Sequence, residues 1–385
     1  MSGPPLKILL AHSRYRSGVA SGENAVVADE ARLLQEAGHE VHVFEASVSG
    51  SFDALRAGPG IIWDPGRAAA IRGLIRRYRP DVVHVHNLFP ALSPAVIRAA
   101  AAEGVPVVMT LHNFRLMCLP ATFLRDCRIC EDCLGRHPWP GVVHGCYRGS
   151  QVQSAALATS LVLHRWLGTF ERVRRFIAVS GFVREKYTEA GFDPSRIVVK
   201  PNFARPGPRR EGPGAYFLYL GRLSPEKGVA TLLRAWREDL GRLLVVGDGP
   251  EAPRLRRLAP GGVEFLGVVP HEEARRLVAQ ARAVVVPSIC YEAFPRVVVE
   301  TYAAGVPVVA SRIGALPEVV EDGVTGLLAE PGDPASWTAA VERLLDDRFS
   351  ERLGENAYLA WTQRYAPERN LAQLETVYRG ARGSA

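Results

Sequence analysis

The chemistry in this chain gathers at two stretches of the second half. The first is YLGRLSPEKGV, where Arg222 and Lys227 flank a turn through Pro225 and Gly228 directly after an apolar run. Two cations so placed can hold a diphosphate without a metal. The second is AVVVPSICYEAFPRVVVETYAAGVPVVA, residues 283–310, in which Glu292 and Glu300 stand with seven residues between them. Pro295 suits a first helical position, where its missing N–H costs little. The free N–H groups of Arg296 and Val297 would then point at an anion. Taken singly, each stretch is also compatible with a surface turn and a solvated helix. Together they describe a site for a phosphorylated ligand.

The elements that must position these side chains follow from the pattern. Ala283 to Pro287 is an apolar run of strand length, Ser288 to Pro295 breaks it, and Arg296 to Ala304 reads as a short helix. Gly305 ends that helix, Pro307 forbids its continuation, and Val306 to Ala310 reads as the next strand. Strand, loop, helix, strand is one turn of a parallel α/β sheet. Ligands bind such sheets at the loops that follow the strands.

The Glu-x7-Glu spacing followed by Ala-Gly-Val-Pro-Val-Val, with Gly-Arg-x4-Lys-Gly upstream, resembles the donor site of retaining family-4 glycosyltransferases of GT-B fold. The resemblance implies an α/β chain of two Rossmann-like domains with a deep interdomain cleft. It gives Glu292 to sugar hydroxyls, Glu300 to the ribose, and the backbone from Phe294 through Arg296 to Val297 to the phosphate. Arg222 and Lys227 bind the donor phosphates in the same pattern. The family usually has Gly where this chain has Pro295, which removes one amide donor. VEFLGVVP, residues 263–270, matches the segment whose backbone meets the base, with Val268 the candidate there. The opening strand, Gly-rich loop with Gly18 and Gly22, helix and Gly-His-Glu-Val resemble the family's start; Gly22 is the candidate for close backbone approach to the diphosphate.

At 385 residues the length suggests two or three domains. Lys plus Arg exceed Asp plus Glu by 47 − 40 = 7, a modest basic excess that suits phosphorylated small molecules, anionic lipid surfaces or nucleic acid alike. The N-terminus lacks a convincing signal peptide, and no run approaches the roughly 20 apolar residues of a membrane span. A cytoplasmic protein is expected, with any membrane association peripheral, at the inner face of the cytoplasmic membrane.

Taken in order, Leu6 to Ala11 and Glu40 to Phe44 are expected strands with a helix from Glu23 to Ala37 between them, and residues 51–65 an irregular loop. Asp81 to His86 is a strand that puts His84 and His86 on one face, a spacing open to two metal ligands or to strand-end histidines facing the cleft or satisfied by backbone. His112 stands at the C-terminal edge of the strand Val105 to Leu111, a site position; the family often has a His here, close to the donor sugar and acceptor.

Residues 114–170 interrupt the alternation and hold Cys118, Cys127, Cys130, Cys133 and Cys146. The Cys-x2-Cys-x2-Cys knuckle with its flanking cysteines can put four thiolates around a structural zinc, though five candidates leave the set open. Resemblance to a bacterial subgroup with this insertion selects Cys118, Cys130, Cys133 and Cys146. Free thiols or a disulfide are the other readings. Trp139, Trp166, Arg165, Arg172, Arg174 and Arg175 suggest either peripheral contact with an anionic membrane or an ordinary solvated face. The linker PNFARPGPRREGPG puts a domain boundary near residue 205. The expected organisation is 1–204 as the acceptor-side domain, 205–364 as the nucleotide-sugar domain, and 365–385 as a helix crossing back to the first.

The expected reaction is transfer of a sugar from a nucleotide-sugar donor, UDP- or GDP-linked, to a saccharide or lipid-linked saccharide acceptor. Retention of anomeric configuration follows from the resemblance, and polysaccharide biosynthesis is the context the subgroup implies. Arg222, Lys227 and the helix start would stabilise the leaving diphosphate. No Asp-x-Asp occurs in the chain, so no catalytic metal is expected. Two rivals belong to other classes: a GT-B sugar-nucleotide epimerase, and a zinc-containing nucleic-acid binder. The second would leave Glu292, Arg222 and Lys227 unexplained, and no nucleic-acid partner is expected.

Overall fold

Apolar runs without alternation become strands covered on both faces, which is what a parallel sheet between helices requires. Leu9, Leu10, Ala11, Val82, Val83, Val85, Val107 and Val108 in the first half, and Val284, Val285, Val308 and Val309 in the second, are all buried. The computed structural model describes residues 4–14, 22–47 and 59–383. Gly18 and most of the loop expected over residues 51–65 lie outside them; within that stretch residues 59–62 are helical and Pro65 already opens a helix.

The strands in chain order are β1 (Lys7–Ser13), β2 (Glu40–Ala46), β3 (Val82–Val85), β4 (Val107–Leu111), β5 (Leu124–Arg125), β6 (Arg128–Ile129), β7 (Val173–Ala178) and β8 (Ile197–Val199). They continue as β9 (Tyr216–Leu220), β10 (Leu243–Val246), β11 (Val263–Gly267), β12 (Ala281–Val286), β13 (Val308–Ser311) and β14 (Gly326–Ala329). The chain divides into two units. One comprises residues up to Ala121, Glu131–Pro201 and those from Leu371; the other comprises Thr122–Cys130 and Asn202–Asn370.

The first unit carries a parallel sheet in the order β2-β1-β3-β4-β7-β8. One face is covered by the helix Gly22–Glu36 through Val27, Ala31 and Leu34. Leu374, Val377, Tyr378 and Ala381 of the last helix, Pro367–Gly383, join the same core with Leu6, Ile8, Leu10 and Val82. His39 Nε2 meets Glu375 Oε1 at 2.9 Å and anchors that helix further. The helix Pro65–Tyr78 starts where Asp64 accepts from the Arg67 N–H at 2.8 Å, a side-chain cap for an orphan amide. The cysteine-bearing insertion contains the helices Trp139–Val143 and Gln151–Trp166. Its antiparallel pair β5–β6 groups with the second unit, where Phe123 sets its ring edge-on to Tyr291 at 5.9 Å.

The second unit carries a parallel sheet in the order β11-β10-β9-β12-β13-β14. Leu218, Val284, Val286, Val308 and Ala310 face one core with Tyr302 and Trp361. Phe217, Tyr219, Val285 and Val309 face the other with Trp236 and Trp337. Alternate residues of each strand thus fill opposite layers. Among the described residues no helix is long and apolar enough to cross a membrane.

Candidate functional site

In both sheets the strand order reverses at one place, and at such a place the loops after neighbouring strands part to leave a crevice. In the second unit the reversal lies between β9 and β12, which pair directly although β10 and β11 intervene in sequence. The loops after these two strands are the ones that carry Arg222 and Lys227, and Glu292.

The two loops are held at contact distance by backbone. Ile289 N–H donates to the Glu226 carbonyl at 3.0 Å. Gly228 takes φ +67°, and a Cβ there would run into the Pro287 carbonyl oxygen. Only glycine supplies both the left-handed backbone and the space. Gly314, at φ +59°, packs in the same way against the Glu292 backbone, and Ala315 N–H donates to the Glu292 carbonyl at 2.9 Å.

Within this frame Lys227 Nζ meets Glu292 Oε1 at 2.6 Å, and the buried Ser288 hydroxyl donates to the same oxygen at 2.5 Å. The Glu292 side chain is 12% exposed and that of Lys227 is 32% exposed. Burial works against ionising Glu292, but Lys227 and Ser288 outweigh it and hold the carboxyl below its ordinary range. Burial works against the Lys227 ammonium too, and the carboxylate beside it raises it nonetheless. Burial and the same carboxylate push the Cys290 thiol up, which keeps it protonated and unreactive. Arg222 is exposed just beyond the β9 end, its carbonyl accepting from the Tyr219 hydroxyl at 2.7 Å.

The helix Arg296–Ala303 starts at the residue the sequence suggests and ends one residue earlier. Pro295 is not its first residue but its cap, extended at φ −77° and ψ 106°, and its carbonyl accepts from Val298 N–H at 3.1 Å. The ring fixes φ while ψ stays extended, so the missing amide falls outside the helix. Arg296 and Val297 supply the first two helical amides, which have no acceptor inside the helix. Arg296 pairs with Glu300 one turn on, at 2.9 Å. Phe294 sits half-buried, tilted against Tyr365 at 6.0 Å. Val268 follows β11 with 75% of its surface exposed. Arg222, Lys227, Val268, Glu292, Phe294, Arg296, Val297 and Glu300 therefore all belong to the second unit.

Gly22 and His112 belong to the first. Gly22 opens the helix Gly22–Glu36, and a Cβ there would meet nothing within 4 Å, so packing among the described residues does not demand glycine. The reversal in this sheet lies between β1 and β3, and polar side chains crowd its C-terminal edge. His86 Nδ1 and His112 Nε2 lie 2.9 Å apart. Glu23 accepts from Asn87 at 2.9 Å and from Asn113 at 2.6 Å, and His12 Nε2 meets Asn24 Oδ1 at 2.9 Å. Burial pushes the His112 imidazole down to about 4, against the pull of Glu23 and Glu30, so the ring is neutral near pH 7.

His84 is not satisfied by backbone; its nitrogens meet the Tyr378 hydroxyl at 2.8 Å and the Thr110 hydroxyl at 2.7 Å. Among the described residues Glu30, His84 and His86 bring ligand atoms within 4.8 Å of one another. A cation has no place there, because Lys200 Nζ already sits 2.7 Å from Glu30 Oε1. Sequence reasoning missed Glu30, Lys200 and Ser288. A signal for Glu30 existed: it stands on the apolar face of its helix, between Val27 and Leu34.

All six cysteines are free thiols; Cys118 is buried, Cys130, Cys133 and Cys146 are half-buried, and Cys127 is exposed. Cysteine sulfurs contribute to no ligand group of three or more within 4.8 Å among the described residues. Cys130 groups with the second unit and the other three with the first. Arg165 is not a surface cation, since it donates to the Leu116 carbonyl at 3.1 Å and lies over the Phe192 ring. Arg172 and Arg174 are exposed, as are Trp139 at 50% and Trp166 at 81%.

Residues 20–206 match the family described as Glycosyltransferase Family 4, and residues 214–347 the one described as Glycosyl transferases group 1. D-inositol 3-phosphate glycosyltransferase of Acidothermus cellulolyticus is 30% identical over 405 residues, covering 94% of this chain and 86% of that protein. The Mycobacterium bovis protein of the same name is 29% identical over 362 residues, covering 86% and 72%. In structure the chain is similar to Anabaena HepE in complex with UDP-glucose, with TM-score 0.70, 20% identity, and 97% and 100% of the two chains covered. It is similar also to sucrose-phosphate synthase from Thermosynechococcus elongatus, with TM-score 0.71, 19% identity, and 98% and 99% covered. With both halves matched and both sheets Rossmann-like, the chain belongs to the family-4 glycosyltransferases of GT-B fold.

Proposed function

We propose that the protein transfers a sugar from a nucleotide-sugar donor, UDP- or GDP-linked, to a saccharide or lipid-linked saccharide acceptor, with retention and without a catalytic metal. The observation that carries this reading is the Lys227–Glu292 pair at the β9/β12 reversal, with exposed Arg222 on the same β9 loop as Lys227 and the amides of Arg296 and Val297 opening the next helix. Fixed cations and amide dipoles stabilise charge as it builds on a leaving diphosphate. Glu292, kept ionised, accepts hydrogen bonds from sugar hydroxyls, and Glu300 takes those of the ribose. Val268 lies against the base, Phe294 lends backbone near the phosphate, and Gly22 lets backbone approach the diphosphate. His112 contacts the donor sugar next to the acceptor. The leaving phosphate takes the acceptor proton on the same face.

A structural neighbour supports the donor class: HepE is named in complex with UDP-glucose. An inositol phosphate acceptor, as named for the curated relatives, is one candidate among hydroxyl-bearing acceptors. The knuckle spacing supports a structural zinc on Cys118, Cys130, Cys133 and Cys146, although among the described residues no three of these sulfurs lie within 4.8 Å of one another. Exposed Trp139 and Trp166 with Arg172 and Arg174 support peripheral contact with an anionic membrane from the cytoplasmic side, in polysaccharide assembly.

The test is a nucleotide-sugar panel read by thermal shift, followed by transfer assays with the donor that stabilises most. Product stereochemistry by NMR and rates in excess EDTA then address retention and metal dependence. An inverted product, or loss of activity in EDTA restored by a divalent ion, would sink the corresponding part. Conversion of donor without acceptor would favour the epimerase.

A further inference from the structure

Behind His112 lies a buried chain of polar groups that the donor site does not use. Glu30 projects from the helix Gly22–Glu36 into the first sheet's edge and is fully buried. Its Oε1 accepts from Lys200 Nζ at 2.7 Å. Its Oε2 has no hydrogen-bond partner, and neither has His86 Nε2, 3.7 Å away. On the other side of the ring, His86 Nδ1 is in hydrogen-bond contact with His112 Nε2 at 2.9 Å, the two ring planes within 17° of each other.

The charge states leave one arrangement favoured. Burial resists ionising Glu30, and Lys200 overcomes it, so the carboxylate is charged. Burial pushes His84 and His86 well down and His112 to about 4, so all three rings are neutral. The other titratable groups facing the chain are His12, Glu23 and Tyr378. A neutral His86 carries one proton. On Nε2 it points an N–H at the Glu30 carboxylate. On Nδ1 it would turn a lone pair on Nε2 toward that carboxylate, a repulsion unscreened by water. With the proton on Nε2, His86 Nδ1 is an acceptor, and the hydrogen bond must come from His112 Nε2–H. The second nitrogen of His112 is then the bare one.

We infer that Glu30 and His86 are positioning residues that hold His112 as its Nε2–H tautomer, so that His112 Nδ1 accepts a hydrogen bond from a hydroxyl of the transferred sugar. The inference rests on the proposed role of His112. Lys200 keeps Glu30 charged, and the hydroxyls of Thr110 and Tyr378 hold His84 beside the chain. No proton moves along it; its effect is orientation, as a carboxylate behind an imidazole has in other sites.

Full-length protein labelled with 15N-histidine tests this directly, because two-bond proton–nitrogen correlations show which ring nitrogen bears hydrogen. The expected pattern for His112 is Nε2–H. In the double variant Glu30→Gln/Lys200→Met, which removes both buried charges together, His112 shifts toward Nδ1–H and kcat falls about tenfold with donor KM little changed. His112→Asn, whose Oδ1 takes the place of Nδ1, retains more transfer than His112→Gln. An Nδ1–H tautomer in the wild type, or a tautomer unmoved in the double variant, would overturn the relay. Wild-type turnover in His112→Ala would instead overturn the sugar contact and the functional reading beneath it.

Discussion

Lys227 and Glu292 are 65 residues apart in sequence and 2.6 Å apart in space, joined at the point where the second sheet reverses its order. The pair is poised rather than locked. The carboxylate is buried and bonded to Ser288, while about a third of the Lys227 side-chain surface stays exposed.

Removing the cation therefore has two separable effects. Lys227→Met is expected to lower kcat/KM by about 100-fold or more, the scale of losing one fixed stabiliser of developing charge. It should also cost about 1–3 kcal/mol of stability, because Glu292 is left buried without its partner. Adding Glu292→Gln should restore the stability and none of the activity. Urea denaturation and initial rates on the single and double variants check both.

Gly228→Ala is expected to damage the site without touching a ligand group. The added Cβ meets the Pro287 carbonyl and the backbone is at φ +67°, so the β9 and β12 loops must separate. A loss of about 1–3 kcal/mol is expected, with weaker donor binding. Thermal unfolding with and without nucleotide sugar measures it; an unchanged midpoint would contradict the close approach.

Stability should fall as pH drops below about 6.5. His84, His86 and His112 are all held below the ordinary histidine value of 6.5 by burial, the last at about 4. Between 6.5 and about 4 the unfolded chain binds protons at these positions that the folded chain refuses, so each step of acidification favours unfolding. Glu30 and Glu292, both held below 4.5, act in the same direction, their contribution being present above that value and lost as pH falls through the folded one. Denaturant midpoints across this range, compared with His84→Phe, give the measurement.

Zinc on the cysteine insertion has its own test. Purified protein is expected to carry about one zinc per chain and to lose thermal stability on chelation. Cys133→Ser should abolish the metal and Cys127→Ser should leave it. Metal analysis showing none in protein purified without chelator would refute the assignment.

What was legible beforehand was local. The helix Arg296–Ala303 could be read from its breakers and its apolar stripe, and even there Pro295 was misplaced by one residue, because a proline's φ suits both a cap and a first turn. Glu30 was passed over because its side chain looks like one more acid on a helix until Lys200, 170 residues later, comes against it.

By itself the sequence determined the α/β alternation, the two glycine-bounded turns, and the residue types able to hold a phosphate and a sugar. These depend on periodicity and backbone chemistry within a few residues. Only the tertiary structure decided that β9 lies beside β12, that Lys227 neutralises Glu292, and that His86 stands between Glu30 and His112. Those partnerships arise from strand order and burial, where removal from water makes distant charges find each other, and no local pattern records them.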